Sequence, residues 1–154
     1  MLHIDKFTTQ LRIALGDAQS LAISKKHNLI EPLHLMKALL AQENGTVGPL
    51  LTQTGVNLAT LNTQLDAALE RLPEVQGATG NVHVSNDLER LLNGADELAQ
   101  QRKDSYISSE LFLLAALDDQ GVLGRILQKL GAQKAKIEQA ITQLRGGEKV
   151  DNPG

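Results

Sequence analysis

The sequence predicts an all-α domain made of two four-helix repeats, on three observations. The chain resembles itself at a long fixed period. Residues 7–40 align with residues 84–117 at an offset of 77, so that Leu11, Leu15, Ala18, Leu21, Ala22, Lys26, Ile30, Ala38 and Leu40 meet Leu88, Leu92, Ala95, Leu98, Ala99, Lys103, Ile107, Ala115 and Leu117. After a one-residue deletion the register continues at offset 76, with Gly45, Gly48, Leu51 and Gly55 on Gly121, Gly124, Leu127 and Gly131. Two copies of so long a unit argue for one pseudo-twofold domain rather than an open solenoid. Apolar residues also recur at steps of three and four, the helical period. Finally, Phe7, Phe112 and Tyr106 are the only aromatic residues, so the core is built from Leu, Ile and Ala, which suits close helix packing.

The elements follow in order. Phe7, Leu11, Ala14, Leu15, Ala18, Leu21 and Ala22 make one stripe on a helix of about six turns, starting between Asp5 and Thr8. Val84, Leu88, Leu91, Leu92, Ala95, Leu98 and Ala99 repeat it, with Ser85 as N-cap. Lys25-Lys26-His27-Asn28 and Arg102-Lys103-Asp104-Ser105 close these helices with cations that favour the dipole. Pro32 suits the first turn of a second helix, and Ser108 caps its counterpart; these run about ten residues, to Gln42 and Asp118. Short third helices are expected near 47–54 and 123–130, with left-handed Gly55 and Gly131 after them. Fourth helices follow near 58–71, capped by Asn57, and near 134–145. The domain thus spans 1–145, with repeat one at about 5–71 and repeat two at about 82–145. Residues 73–83 read as an inter-repeat linker, and 146–154 as a flexible tail that starts a linker to something else.

Composition and motifs exclude several chemistries. A net charge of −3 without clustered Lys and Arg gives no nucleic-acid or membrane surface. There is no Cys, hence no disulfide, thiolate nucleophile or Cys-ligated zinc. No signal peptide and no membrane-spanning run occur, which reads as cytoplasmic. His3, His27, His34 and His83 are scattered, so no metal site is expected, and His34 is expected to pack or hydrogen-bond locally. No phosphate loop and no nucleophile elbow are present, so the fragment is expected to have no catalytic residues and no cofactor. Asp118-Asp119 reads as a solvated turn.

Ile30-Glu-Pro-Leu-His-Leu-Met-Lys-Ala-Leu-Leu and Ile107-Ser-Ser-Glu-Leu-Phe-Leu-Leu-Ala-Ala-Leu resemble the two signature segments of the Clp amino-terminal domain. The stretch from Phe7 to Ala22 is similar to that family's opening helix. Arg71-Leu-Pro-Glu-Val-Gln-Gly and Leu144-Arg-Gly-Gly-Glu place the resemblance nearer the disaggregase branch than the protease-coupled one.

The resemblance implies a mobile appendage on a hexameric AAA+ ATPase, engaging exposed apolar segments of unfolded or aggregated polypeptides. Its implied partners are those polypeptides, the AAA+ modules of the same chain and hexamer and, through the full-length protein, an Hsp70-type chaperone system. ATP is expected for the full-length protein only. Matching motif positions gives Thr8, Asp104 and Glu110 as polar binding residues, and Leu92 and Leu111 as the exposed apolar floor of a groove. Asp104 and Glu110 would behave as exposed charges. Gly94 departs from the larger apolar residue of close relatives, which would shrink the groove's apolar wall. The alternative reading is an adaptor-docking domain of a Clp protease, with specificity in a polar and charged rim. A small helical enzyme has no constellation behind it.

Overall fold

The computed structural model describes residues 2–76 and 81–154. Met1 and residues 77–80, part of the expected linker, lie outside the described residues. A 3-10 turn at Ile4–Lys6 leads into α1, Thr9–Ser24. The first repeat continues with α2 (Pro32–Ala41), α3 (Val47–Gln53) and α4 (Leu58–Glu70). The second has α5 (Asn86–Arg102), α6 (Ser109–Leu117), α7 (Val122–Lys129) and α8 (Lys134–Arg145).

Local chemistry sets most boundaries. Thr8 Oγ1 accepts from the Leu11 N–H at 3.3 Å, Ser85 Oγ from Leu88 at 3.0 Å and Asn57 Oδ1 from Thr60 at 3.0 Å. Each bond satisfies a first-turn donor that has no partner within the helix. Pro32 occupies the first helical position of α2. Gly55 and Gly131 adopt φ of +98° and +88° after α3 and α7, as expected of αL terminators. The first helix is shorter than the six turns read from its stripe. The chain leaves it at Ser24 because Lys26 turns left-handed, at φ 62°. Lys103 does the same in the second repeat, at φ 60°.

One contiguous apolar core joins both repeats, from Phe7, Leu11 and Leu39 to Leu88, Phe112 and Ile141. Two helices lie at its centre. In α2 the buried set includes Leu33, His34, Leu35, Met36 and Leu39. In α6 every residue except Ala115 is buried. A helix that is apolar all round has no solvent face to offer, and burial is its only stable placement.

Sequence periodicity gave no hint of strands, yet the loops between first and second helices carry β pairings of one or two residues. Leu29–Ile30 (β1) runs parallel to His83–Val84 (β2), with Ile30 opposite Val84. Phe7 and Ile107 form a parallel bridge in which the Ile107 N–H donates to Lys6 O at 2.7 Å and the Thr8 N–H to Ile107 O at 3.0 Å. Ile30 and Ile107 are equivalent, as are Val84 and Phe7. Each repeat's loop is therefore closed by the strand that leads into the other repeat's first helix.

Candidate functional site

The loop between α5 and α6 gathers most of the polar residues singled out from sequence. Lys103 turns the chain back, and the bridge to Phe7 brings Ile107 beside Thr8. Thr8 is half-buried and its hydroxyl is committed to capping α1. Asp104 begins the loop and Glu110 sits in the first turn of α6. Both are turned inward, not outward: their side chains are 0% and 8% exposed. They lie inside because Arg145, in the last turn of α8, reaches between them. Its Nη1 donates to Asp104 Oδ2 at 2.8 Å and its Nη2 to Glu110 Oε1 at 3.0 Å. Its Nε reaches the same Glu110 oxygen at 3.3 Å, and Nη2 also donates to Ser108 Oγ at 3.1 Å. Burial disfavours the Arg145 charge, but the hydrogen bonds it donates to Asp104 and Glu110 outweigh that and hold its pKa above the usual arginine value.

Two sequence expectations are corrected here. Asp104 and Glu110 are not exposed charges, because a buried guanidinium claims them. Ser108 does not cap α6 with its side chain, because its hydroxyl accepts from Arg145 instead. The hydroxyl of its neighbour Ser109 is buried without a hydrogen-bond partner among the described residues. Arg145 itself was missed. The only signal for it in the sequence was a cation in the last turn of a helix; its acidic partners, one in the loop and one in the first turn of α6, lie far away in sequence.

A third correction concerns the apolar floor. Leu92 is 1% exposed and Leu111 0%, so neither is an exposed groove residue. Both point into the common core, Leu92 from the inner stripe of α5 and Leu111 from the fully buried α6. They hold the two helices together beneath the surface. An open furrow does exist on the outer side of the same helix pair. Leu91, Gly94, Leu98 and Ala115 line it, with Glu97, Gln101, Asp118 and Lys134 along its edges and a volume of about 370 Å³. Gly94 leaves the space open. A Cβ at that position would stand 3.4 Å from the Ala115 Cβ, in contact across the helix pair. Arg90 pins one rim through Asp119, with Nη2 2.9 Å from Oδ1, and Lys134 pairs with Asp118 at 2.5 Å. A smaller apolar hollow of about 120 Å³ lies between the repeats, lined by Pro32, Leu33, Leu72, Val122 and Leu123 among others.

The closing segment, expected to run free, lies back against the loop. The Ser105 and Tyr106 N–H groups donate to Val150 O at 2.8 and 3.2 Å, and the Val150 N–H donates to Asp104 Oδ1 at 3.1 Å. The Thr9 N–H donates to Pro153 O at 2.9 Å.

The buried histidines are structural. The Glu31 N–H donates to His34 Nδ1 at 2.8 Å, so that nitrogen carries no proton. Neutral His34 then donates through Nε2 to His27 Nδ1, 2.8 Å away. Desolvation, aided by the proximity of His27 and then Lys25, lowers the pKa of His34 to about 4. Burial first, then Lys25, lowers that of His27, against the pull of Glu74, Glu70 and Glu31. Among the described residues no group of three or more metal-ligating side chains converges, and no helix is long and apolar enough to cross a membrane.

Sequence and shape both have counterparts among known proteins. Residues 6–149 match the Clp repeat (R) N-terminal domain family. The chain is 48% identical over 151 residues to the chaperone protein ClpB of Pseudomonas putida and 46% identical over 152 residues to that of Vibrio cholerae. These alignments cover 98% and 99% of this chain, which spans 18% of the length of either relative. The crystal structure of the Hsp104 N-terminal domain from Candida albicans superposes with a TM-score of 0.83, covering 96% of this chain and 97% of that one at 23% identity, a likeness of fold. With the family matched across nearly its whole length, and the doubled four-helix architecture in place, the chain belongs to the Clp repeat N-terminal domain family.

Proposed function

We propose that this domain is the polypeptide-engaging amino-terminal module of an ATP-driven protein disaggregase. It would sit on hexameric AAA+ modules in the cytoplasm, with an Hsp70-type system as collaborator of the whole machine. The observation that carries the reading is the furrow over Gly94. Its floor is aliphatic, it holds no aromatic ring, and its edges are charged. A shallow aliphatic floor gains a little free energy from any apolar segment and commits to no particular side-chain shape, which suits weak and tolerant capture. Beyond the end of α5, Thr8 and the loop that follows the helix form a polar flank, with the Asp104 and Glu110 carboxylates drawn inward onto Arg145, and Leu92 and Leu111 support both parts from beneath.

The test is a titration of the isotope-labelled chain with reduced, carboxymethylated α-lactalbumin, a permanently unfolded protein. Amide shifts are expected at Gly94, Leu98, Gln101 and Ala115. Leu98→Gln is expected to weaken binding several-fold while costing roughly 1 kcal/mol of stability, since Leu98 is only half-buried. Shifts confined to other faces would overturn the assignment. Saturable binding of one folded partner, with none of the unfolded protein, would favour adaptor docking.

A further inference from the structure

The α5–α6 loop holds a piece of polypeptide by its main chain alone. Both hydrogen-bonding groups of one residue are taken. The Val150 N–H meets Asp104 Oδ1 at 3.1 Å, and the Val150 carbonyl accepts from Ser105 at 2.8 Å and Tyr106 at 3.2 Å. Three residues on, the Pro153 carbonyl accepts from the Thr9 N–H at 2.9 Å. None of these bonds involves a side chain of the held segment. Val150 and Pro153, the two anchored residues, are half-buried, whereas Glu148, Lys149, Asp151, Asn152 and Gly154 stay exposed. The loop's own groups are rigidly prepared. Asp104 is held from its other oxygen by Arg145, and the Ser105 and Tyr106 amides follow the fixed left-handed turn at Lys103.

We propose that Asp104, the Ser105 and Tyr106 amides and the Thr9 amide form a main-chain clamp for an extended peptide, that residues 148–153 are its resident occupant, and that an unfolded polypeptide reaching this flank must displace them. Donors and an acceptor that read N–H and C=O select for extension, not for sequence, which is the requirement of a site meeting many different chains. The occupied clamp also accounts for the complete burial of the Asp104 side chain in this structure. Competition with incoming chains rests on the polypeptide-binding reading above; occupancy of the clamp by the tail does not.

Three chains separate these two parts: the full chain, a chain ending at Gly147, and Val150→Pro, which removes the N–H that Asp104 accepts without removing the segment. Amide exchange is read first. Protection of the Thr9, Ser105 and Tyr106 amides is expected in the full chain and lost in the shortened one, with Val150→Pro losing protection at Ser105 and Tyr106. A synthetic peptide of residues 147–154, added to the shortened chain, should shift these three amides. Equal, fast exchange in all three chains would overturn the clamp. Binding of reduced, carboxymethylated α-lactalbumin is read second. A tail docked nine-tenths of the time lowers apparent affinity about tenfold, so the shortened chain should bind about tenfold tighter and the added peptide should reverse the gain. Equal affinity for the two chains, with the tail protected, would overturn the competition alone. Failure of both chains to bind α-lactalbumin would overturn the competition together with the function proposed above.

Discussion

Equivalent corners of the two repeats are filled by opposite chemistry. In the first repeat the corner after α1 holds His27, His34 and Leu69. In the second, at offsets of 77, 77 and 76, stand Asp104, Leu111 and Arg145. Both corners turn on a lysine in the left-handed region, and both are crossed by the segment that follows the fourth helix. The first is closed by a neutral pair, one imidazole donating to the other, against a buried leucine. There, among the described residues up to Gln76, the crossing segment makes one main-chain bond, from the Val75 N–H to Lys26 O at 2.8 Å. The second is closed by one cation between two carboxylates, and its crossing segment is gripped at Val150 on both sides. One backbone thus supports a corner sealed by neutral groups and a corner whose spare carboxylate oxygen can accept from a peptide N–H.

The comparison can be broken most forcefully at Arg145. Arg145→Leu installs the residue of the first repeat but leaves Asp104 and Glu110 buried without a countercharge. Such a change is expected to cost about 3–5 kcal/mol in urea unfolding, more than the pair contributes while intact. A loss under about 1 kcal/mol would mean that the second corner tolerates the chemistry of the first.

Acid should act on the other corner. His34 has a folded pKa of about 4, below the 6.5 of the free side chain, and that of His27 is also lowered. Between those values the unfolded chain binds protons that the folded chain refuses. Stability is therefore full above about pH 6.5, falls as pH drops, and levels off near pH 4. The shift of His34 alone corresponds to about 3 kcal/mol. Urea unfolding at a series of pH values checks this, and a flat profile between pH 7 and 4.5 would show that the pair is not held neutral.

The smallest expected effect sharpens the comparison at the start of the second helices, where Pro32 stands opposite Ser109. Ser109→Pro places a proline at the first helical position and removes a buried hydroxyl without a partner. Ser108 already has the extended conformation a following proline requires, with φ −96° and ψ 163°. A gain of about 0.5–1 kcal/mol is expected, read as a higher melting temperature.

How far the molecule was legible differs between its parts. The repeat, the caps at Thr8, Asn57 and Ser85 and the left-handed glycines were readable because each depends on neighbours within a few residues or on a fixed period. The burial of Leu111 was readable too, since Leu-Phe-Leu-Leu-Ala-Ala-Leu offers no polar face; the resemblance to a groove-bearing family pointed the other way. Arg145 was not, because its partners lie 41 and 35 residues away and nothing local marks them. The β pairings escaped for a similar reason: two residues are too few to show a period of two.

Those pairings decide how the molecule can come into being. Ile30 is closed by Val84 and Ile107 by Phe7, so each half completes a ladder begun in the other. Neither half has its loops sealed alone, and the apolar core continues across both. Folding must therefore bring together stretches more than fifty residues apart before either loop is secured, and the cost of closing that long loop falls on the rate more than on the final stability. What began as a doubled sequence is one indivisible cooperative unit, in which a pull on either end is resisted by both halves together.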